Sequence, residues 1–315
     1  MRIVVTVPFQ EPQKEMLRKQ AQPHEIFFGA KEGVPEEWIQ MAEIWMGNPA
    51  QEQLKKAKNL KWLQLNSAGA NVYCRPGVLP EPVLLTSASG AYHLSVSENM
   101  LAYTMGLFKK LYRYYDNQKQ QLWRDEGHVR SARGAVILVL GMGDIGTAYA
   151  QKMKAMGSTV IGVRKSSRDR VDGFDEVYLV EELDRILPRA DLTAITLPDT
   201  AETRGLFGEE RLRKMKKGSY LINVGRGTIV HTDALIRVMK EGHLAGAVLD
   251  VTDPEPLPKE HELWKVPNVY ITPHIAGGFH IDETLETICA ICCENLNRYC
   301  NGQPLQHTVN RSRGY

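Results

Sequence analysis

The sequence predicts an α/β protein: a doubly wound, mainly parallel sheet domain accompanied by a second, smaller α/β domain. Three observations predict it. Short, β-branched apolar runs alternate with amphipathic segments from about residue 135 to 272. A G-x-G-x-x-G turn, Gly141–Gly146, lies between one such run and a helical pattern. The first hundred residues repeat the alternation in weaker form.

Length and composition agree with this class. A chain of 315 residues suits one large or two medium domains, each able to bury a sizeable core. With 43% apolar residues, 24% charged residues and a formal net charge of +2, there is no polybasic stripe, and nucleic acid is not an expected partner. The opening MRIVVTVPF is too short for a signal-peptide core or a membrane span, so it is expected to be the first strand of a cytoplasmic protein. Cys289, Cys292 and Cys293 fall at i, i+3, i+4 with Ile288 and Leu296. They are expected on a buried helix face, and no metal site is expected from them or from Cys300.

In the smaller domain the candidate strands are RIVVTV, EIFFGA, AEIWMG, KWLQLN and PVLLTS. Next comes SVSENMLAYTMGLFKKLYRYY (95–115), where Ser95 and Glu98 have capping-box spacing and predict one helix starting near residue 96. Its apolar residues occupy more than one side, which calls for partners on more than one side, either a second subunit or burial between domains. The strands of the larger domain are expected at 135–140, 158–163, 192–197, 219–224, 245–250 and 268–272, with EVYLV (176–180) as one more. Their nearly continuous apolar character suits strands covered on both faces. A long helix from about 281 and an extended tail close the chain.

AVILVL runs directly into GMGDIG and then into a helix ending at Gly157. This is the Rossmann-type phosphate turn. Gly141 permits the tight turn, Gly143 lets the backbone approach a pyrophosphate, and Gly146 brings the helix close to the strand, with Asp144 and Ile145 at the helix start. About twenty residues on, where an NAD site carries an acid, stand Arg164, Lys165, Ser166 and Ser167. A guanidinium there can bind a 2'-phosphate through paired hydrogen bonds, so NADP(H) is expected over NAD(H). Ligands bind beyond the carboxyl ends of parallel strands. On that edge the sequence places Arg226, Glu255 and His274, each just after a strand. Hydride transfer to a ketone leaves an alkoxide that needs a proton, which suits a histidine beside a carboxylate, with an arginine to clamp a substrate carboxylate.

GMGDIG, LPDTAETRGLFG (197–208), INVGRGTIVHTDAL (222–235), GAVLDVTDPEPLP (246–258), ITPHIAGG (271–278) and the ENLNRYCNGQPLQHTVN ending together resemble the D-isomer-specific 2-hydroxyacid dehydrogenase family. The resemblance covers essentially the whole chain. It implies a Rossmann-type cofactor domain, 95–284, inserted into a flavodoxin-like substrate domain made of 1–94 plus 285–315. It also implies a cleft that closes on substrate and a homodimer formed by the cofactor domains. By this resemblance Arg226 is the substrate-carboxylate arginine, His274 the acid/base and Glu255 its partner. Asp250 contacts the nicotinamide side, while Pro198, Val224 and Gly277 line the cofactor. In LNSAGANVY (65–73), the backbone N–H groups of Ala68, Gly69 and Ala70 hold the substrate carboxylate. Arg164 and Lys165 resemble the NADP-using members.

The function expected is NADPH-dependent reduction of a small 2-oxo acid such as glyoxylate or hydroxypyruvate to the D-2-hydroxy acid. The alternatives are a phosphoglycerate dehydrogenase-like oxidoreductase, disfavoured by the expected absence of a C-terminal regulatory domain, and a non-catalytic nucleotide sensor of the same fold.

Overall fold

The computed structural model describes residues 1–312 and divides the chain into two compact units, Met1–Tyr92 with the segment from Phe279 onward, and His93–Gly278. Each has its own parallel sheet.

In the first unit, β1 (Arg2–Val5), β2 (Glu25–Phe28), β3 (Ile44–Met46), β4 (Trp62–Gln64) and β5 (Leu84–Thr86) form a sheet in the order β2-β1-β3-β4-β5. All its pairings are parallel. This order is the flavodoxin-like one. The helix Asp282–Cys300 buries Cys289 and Cys292 with Ile288 and Leu296, while Cys293, expected on the same face, is only partly buried. A buried polar network ties this late segment to the early strands. Trp62 Nε1 donates to Thr86 Oγ1 (2.8 Å), Thr86 Oγ1 to Gln64 Oε1 (2.7 Å), and Asn295 Nδ2 to the same Gln64 oxygen (2.9 Å). Each polar atom finds a partner, the condition under which such a network stabilises a core. The tail then lies along β5, with Val309 N donating to Leu85 O.

In the second unit β6 (Val136–Leu140), β7 (Thr159–Arg164), β8 (Glu176–Leu179), β9 (Leu192–Ile195), β10 (Tyr220–Asn223), β11 (Gly246–Leu249) and β12 (Val269–Ile271) are ordered β12-β11-β10-β9-β6-β7-β8. The order reverses at β6, so the crevice beyond the ends of β6 and β9 is the topological switch point. Ile137, Leu138, Val139 and Leu140 are fully buried, as strands covered on both faces demand. The helix Thr232–Lys240 buries Ala234, Leu235, Ile236, Val238 and Met239. Asp233 at its start and Lys240 at its end complement the dipole.

The single helix expected from residue 96 is two helices, His93–Phe108 and Leu111–Lys119, broken where Lys110 takes the left-handed conformation (φ 55°). Ser95 lies inside the first and caps nothing; its hydroxyl donates to Ala276 O at 2.7 Å. The tertiary contact displaces the local cap. Met100, Tyr103, Leu107 and Phe108 before the break are buried, whereas Leu111 and Tyr115 after it are exposed. Among the described residues no helix is long and apolar enough to cross a membrane.

Candidate active site

Strand register assembles the site. Asn223 pairs with Leu249, and Leu249 with Ile271, so β10, β11 and β12 end side by side and their following loops emerge on one edge. Those loops carry Arg226, Glu255 and His274.

Arg226 follows a turn clamped by Asn223, whose Oδ1 accepts from Gly225 N (3.0 Å) and whose Nδ2 donates to Arg226 O (3.0 Å). The flanking glycines have a steric reason. A Cβ on Gly225 would meet Leu197 O at 2.6 Å, and one on Gly227 would meet Thr252 O at 1.9 Å. Only the absence of side chains lets this turn pack against the Glu255 loop. Burial pushes the Arg226 guanidinium below its ordinary range, while the charges of Glu255 and Asp199 act in the opposite direction. Its Nη1 donates to Gly225 O at 2.6 Å, leaving donors of its five for a ligand.

Glu255 stands between Pro254 and Pro256 in a loop pinned by Thr232 Oγ1 to Asp253 O (2.7 Å) and Thr252 Oγ1 to Pro254 O (2.9 Å). Its Oε1 accepts from His274 Nδ1 at 2.6 Å. The carboxylate can only accept, so this nitrogen carries the proton. His274 itself is held in the left-handed region (φ 54°), an uncommon conformation for a residue with a side chain.

Asp250, almost fully buried, explains how that conformation is maintained. Its backbone carbonyl accepts from His274 N (2.8 Å). Its Oδ1 accepts from Thr272 Oγ1 (2.7 Å) and Ile275 N (3.0 Å), and its Oδ2 from Ala276 N (3.1 Å). Tyr103 OH reaches Thr272 Oγ1 at 3.1 Å, and burial raises that phenol to about 12, so it remains a neutral donor. The resemblance assigned Asp250 to the cofactor; the structure also makes it the anchor of the His274 loop. Gly277 lies in the same segment.

The Gly141–Gly146 turn joins β6 to the helix Asp144–Ala155. Gly141 has φ +98°, and a Cβ on Gly146 would strike Gly141 O at 1.9 Å. At Gly143 a Cβ would meet nothing within 4 Å, so the turn presents open backbone at the start of the helix Asp144–Ala155, with Ile145 in its first turn. This cradle fits the pyrophosphate of a dinucleotide. Beside it is a cavity of about 290 Å³ with apolar walls from Leu140, Val163, Leu197 and Leu206. Arg164, Lys165, Glu181 and Glu202 also line it. Arg164 has no ion-pair partner among the described residues. Lys165 is bound to Glu202, which the sequence did not single out. Ser166 is exposed, and Ser167 Oγ is buried without a hydrogen-bond partner among the described residues. Pro198 and Val224 follow β9 and β10 on the same edge; Pro198 O accepts from Thr203 Oγ1 at 2.6 Å.

In the first unit the Ala68–Ala70 turn is braced by Ser67 Oγ, which donates to Gly69 O (2.8 Å) and accepts from Asn48 Nδ2 (3.0 Å). The N–H groups of Ala68, Gly69 and Ala70 donate to no acceptor among the described residues.

Residues 101–276 match the family model for the NAD binding domain of D-isomer specific 2-hydroxyacid dehydrogenases. The chain belongs to the D-isomer-specific 2-hydroxyacid dehydrogenase family. It is a nicotinamide-dependent oxidoreductase. A glyoxylate reductase from Thermofilum pendens is 30% identical over 265 residues, covering 82% of this chain and 78% of that one. A family structure from Aeromonas salmonicida superposes with a TM-score of 0.89 at 32% identity, covering 98% of this chain and 99% of its own. An NADPH-dependent glyoxylate/hydroxypyruvate reductase from Sinorhizobium meliloti, in complex with NADP and sulfate, superposes with a TM-score of 0.85 at 26% identity, covering 100% and 99%.

The close approach at Gly227 yields a prediction. Gly227→Ala is expected to push the Arg226 turn away from the Glu255 loop and to lower kcat/KM by about a hundredfold, the cost of a misplacement near 1 Å. Steady-state kinetics at unchanged secondary structure by circular dichroism checks it; wild-type kcat/KM contradicts the packing argument.

Proposed function

We propose that this family member reduces a small 2-oxo acid, such as glyoxylate or hydroxypyruvate, to the D-2-hydroxy acid, with NADPH preferred over NADH. The observation that carries the reading is the His274–Glu255 pair, 2.6 Å apart, on the strand edge that also carries Arg226. The names of the relatives from Thermofilum pendens and Sinorhizobium meliloti support the substrate class.

When bound, a reduced nicotinamide would supply the hydride that the carbonyl carbon accepts. The chain's own task is to manage the charge that results. His274 is assigned the proton for the developing alkoxide: with Nδ1 held by Glu255, Nε2 is the nitrogen left to donate. Glu255 orients the ring and balances its charge. Arg226 takes the substrate carboxylate, its burial strengthening the interaction by excluding water. The N–H groups of Ala68, Gly69 and Ala70 are assigned as further donors to that carboxylate. At the adenosine end, Arg164 lacks an ion-pair partner among the described residues and is assigned to the 2'-phosphate. One hydrogen bond to a charged group contributes about 1.5–3 kcal/mol, a preference of roughly ten- to a hundredfold.

The reading includes a homodimer, supported by the apolar surface that Leu111, Tyr115, Leu122 and Trp123 leave exposed. A single-chain mass in light scattering would contradict that part.

Initial rates with glyoxylate and hydroxypyruvate, each with NADPH and NADH, test the whole. Faster turnover per unit concentration with NADPH is expected, and equal or better use of NADH contradicts the cofactor assignment. His274→Ala is expected to reduce kcat by about 10²- to 10⁴-fold, the range for a positioned general acid. A fully active variant sinks the mechanism.

A further inference from the structure

The ion pair at the cavity mouth bears on cofactor choice. Lys165 Nζ lies 2.6 Å from Glu202 Oε1 and 2.7 Å from Oε2. The two residues follow β7 and β9, the strands on either side of β6, so the pair closes across the switch-point crevice. Both side chains are about two-thirds exposed (67% and 65%). A pair so exposed contributes only about 0–1 kcal/mol to stability and is easily exchanged. The fold does not need it, yet it engages one of the two cations that the 2'-phosphate subsite would use.

We propose that Glu202 is a specificity-determining residue: its carboxylate holds Lys165 and opposes a 2'-phosphate at this cavity, and so limits the discrimination between NADP(H) and NAD(H). The inference rests on the nicotinamide dinucleotide reading of the cavity. A 2'-phosphate brings negative charge to a rim that already holds this carboxylate. To use Lys165 it must displace Glu202 or accept it as a neighbour. A 2'-hydroxyl meets neither obstacle. Arg164 and the unpartnered Ser167 hydroxyl remain for the phosphate, so the subsite is weakened rather than abolished. Glu181 lines the same cavity but pairs with neither cation among the described residues, which makes it the matched control.

The test uses binding, with no turnover involved. Isothermal titration calorimetry of the full chain would measure Kd for ADP-ribose and for 2'-phospho-ADP-ribose in wild type, Glu202→Gln and Glu181→Gln. The readout is the ratio of the two constants, which a general disturbance of the cavity leaves alone. Glu202→Gln is expected to shift the ratio toward the phosphorylated ligand by about fivefold or more at low salt, with the shift shrinking as ionic strength rises. A ratio within about twofold of wild type, or an equal shift in Glu181→Gln, overturns the proposal. Failure of the NADP reading looks different: the wild type itself would bind ADP-ribose at least as tightly as its 2'-phosphate.

Discussion

The buried carboxylate of Asp250 is the constraint on which the edge carrying Arg226, Glu255 and His274 depends. A carboxylate out of water needs donors on its lone pairs, and here the Thr272 hydroxyl and the N–H groups of Ile275 and Ala276 provide them. Satisfying that charge folds the segment after β12 around one point. His274, lying between those donors, is turned into the left-handed region with its own N–H on the Asp250 carbonyl. The energy that holds an uncommon backbone conformation thus comes from a charge that must be solvated internally.

The same edge shows how parallel strands can build a site from distant sequence. Asp250 N donates to Asn223 O, and Asn223 in turn clamps the Arg226 turn. Three loops are therefore linked through backbone and amide groups before any ligand arrives. The helix His93–Phe108 adds Ser95 and Tyr103 to the outer side of the His274 loop. Preorganisation of this kind leaves His274 Nε2 and the remaining Arg226 donors, the atoms the proposed mechanism uses, without internal partners among the described residues. The cavity beside the glycine turn is arranged differently: of its two cations, Lys165 is already occupied by Glu202, and Arg164 is without an ion pair among the described residues.

Much of this was legible in the sequence. Every apolar run proposed as a strand became one; the central strands are buried on both faces, which needs continuous apolar residues, while β2, β8 and β12 at the sheet edges are only partly buried. Arg226, Glu255 and His274 could be placed on one edge because each lies in the loop that follows such a run. Contacts that depend on sequence separation were not legible. Glu202 is 37 residues from Lys165, and no local pattern marks their meeting. Ser95 has the spacing of a cap, but a carbonyl 181 residues away claims its hydroxyl. The break at Lys110 lacks a glycine or proline signal, since tertiary packing before it and exposure after it decide where the helix ends. Asp250 could be found as a strand-end acid, but its donors could not.

The most direct test of the account is the configuration of the product. Hydroxypyruvate would be reduced with NADPH, and the glycerate resolved by chiral chromatography alongside the NADPH consumed. The account predicts D-glycerate, one mole for each mole of NADPH oxidised. L-glycerate, or NADPH oxidation without glycerate, would contradict the assignment of His274 and Arg226 to their places around the carbonyl.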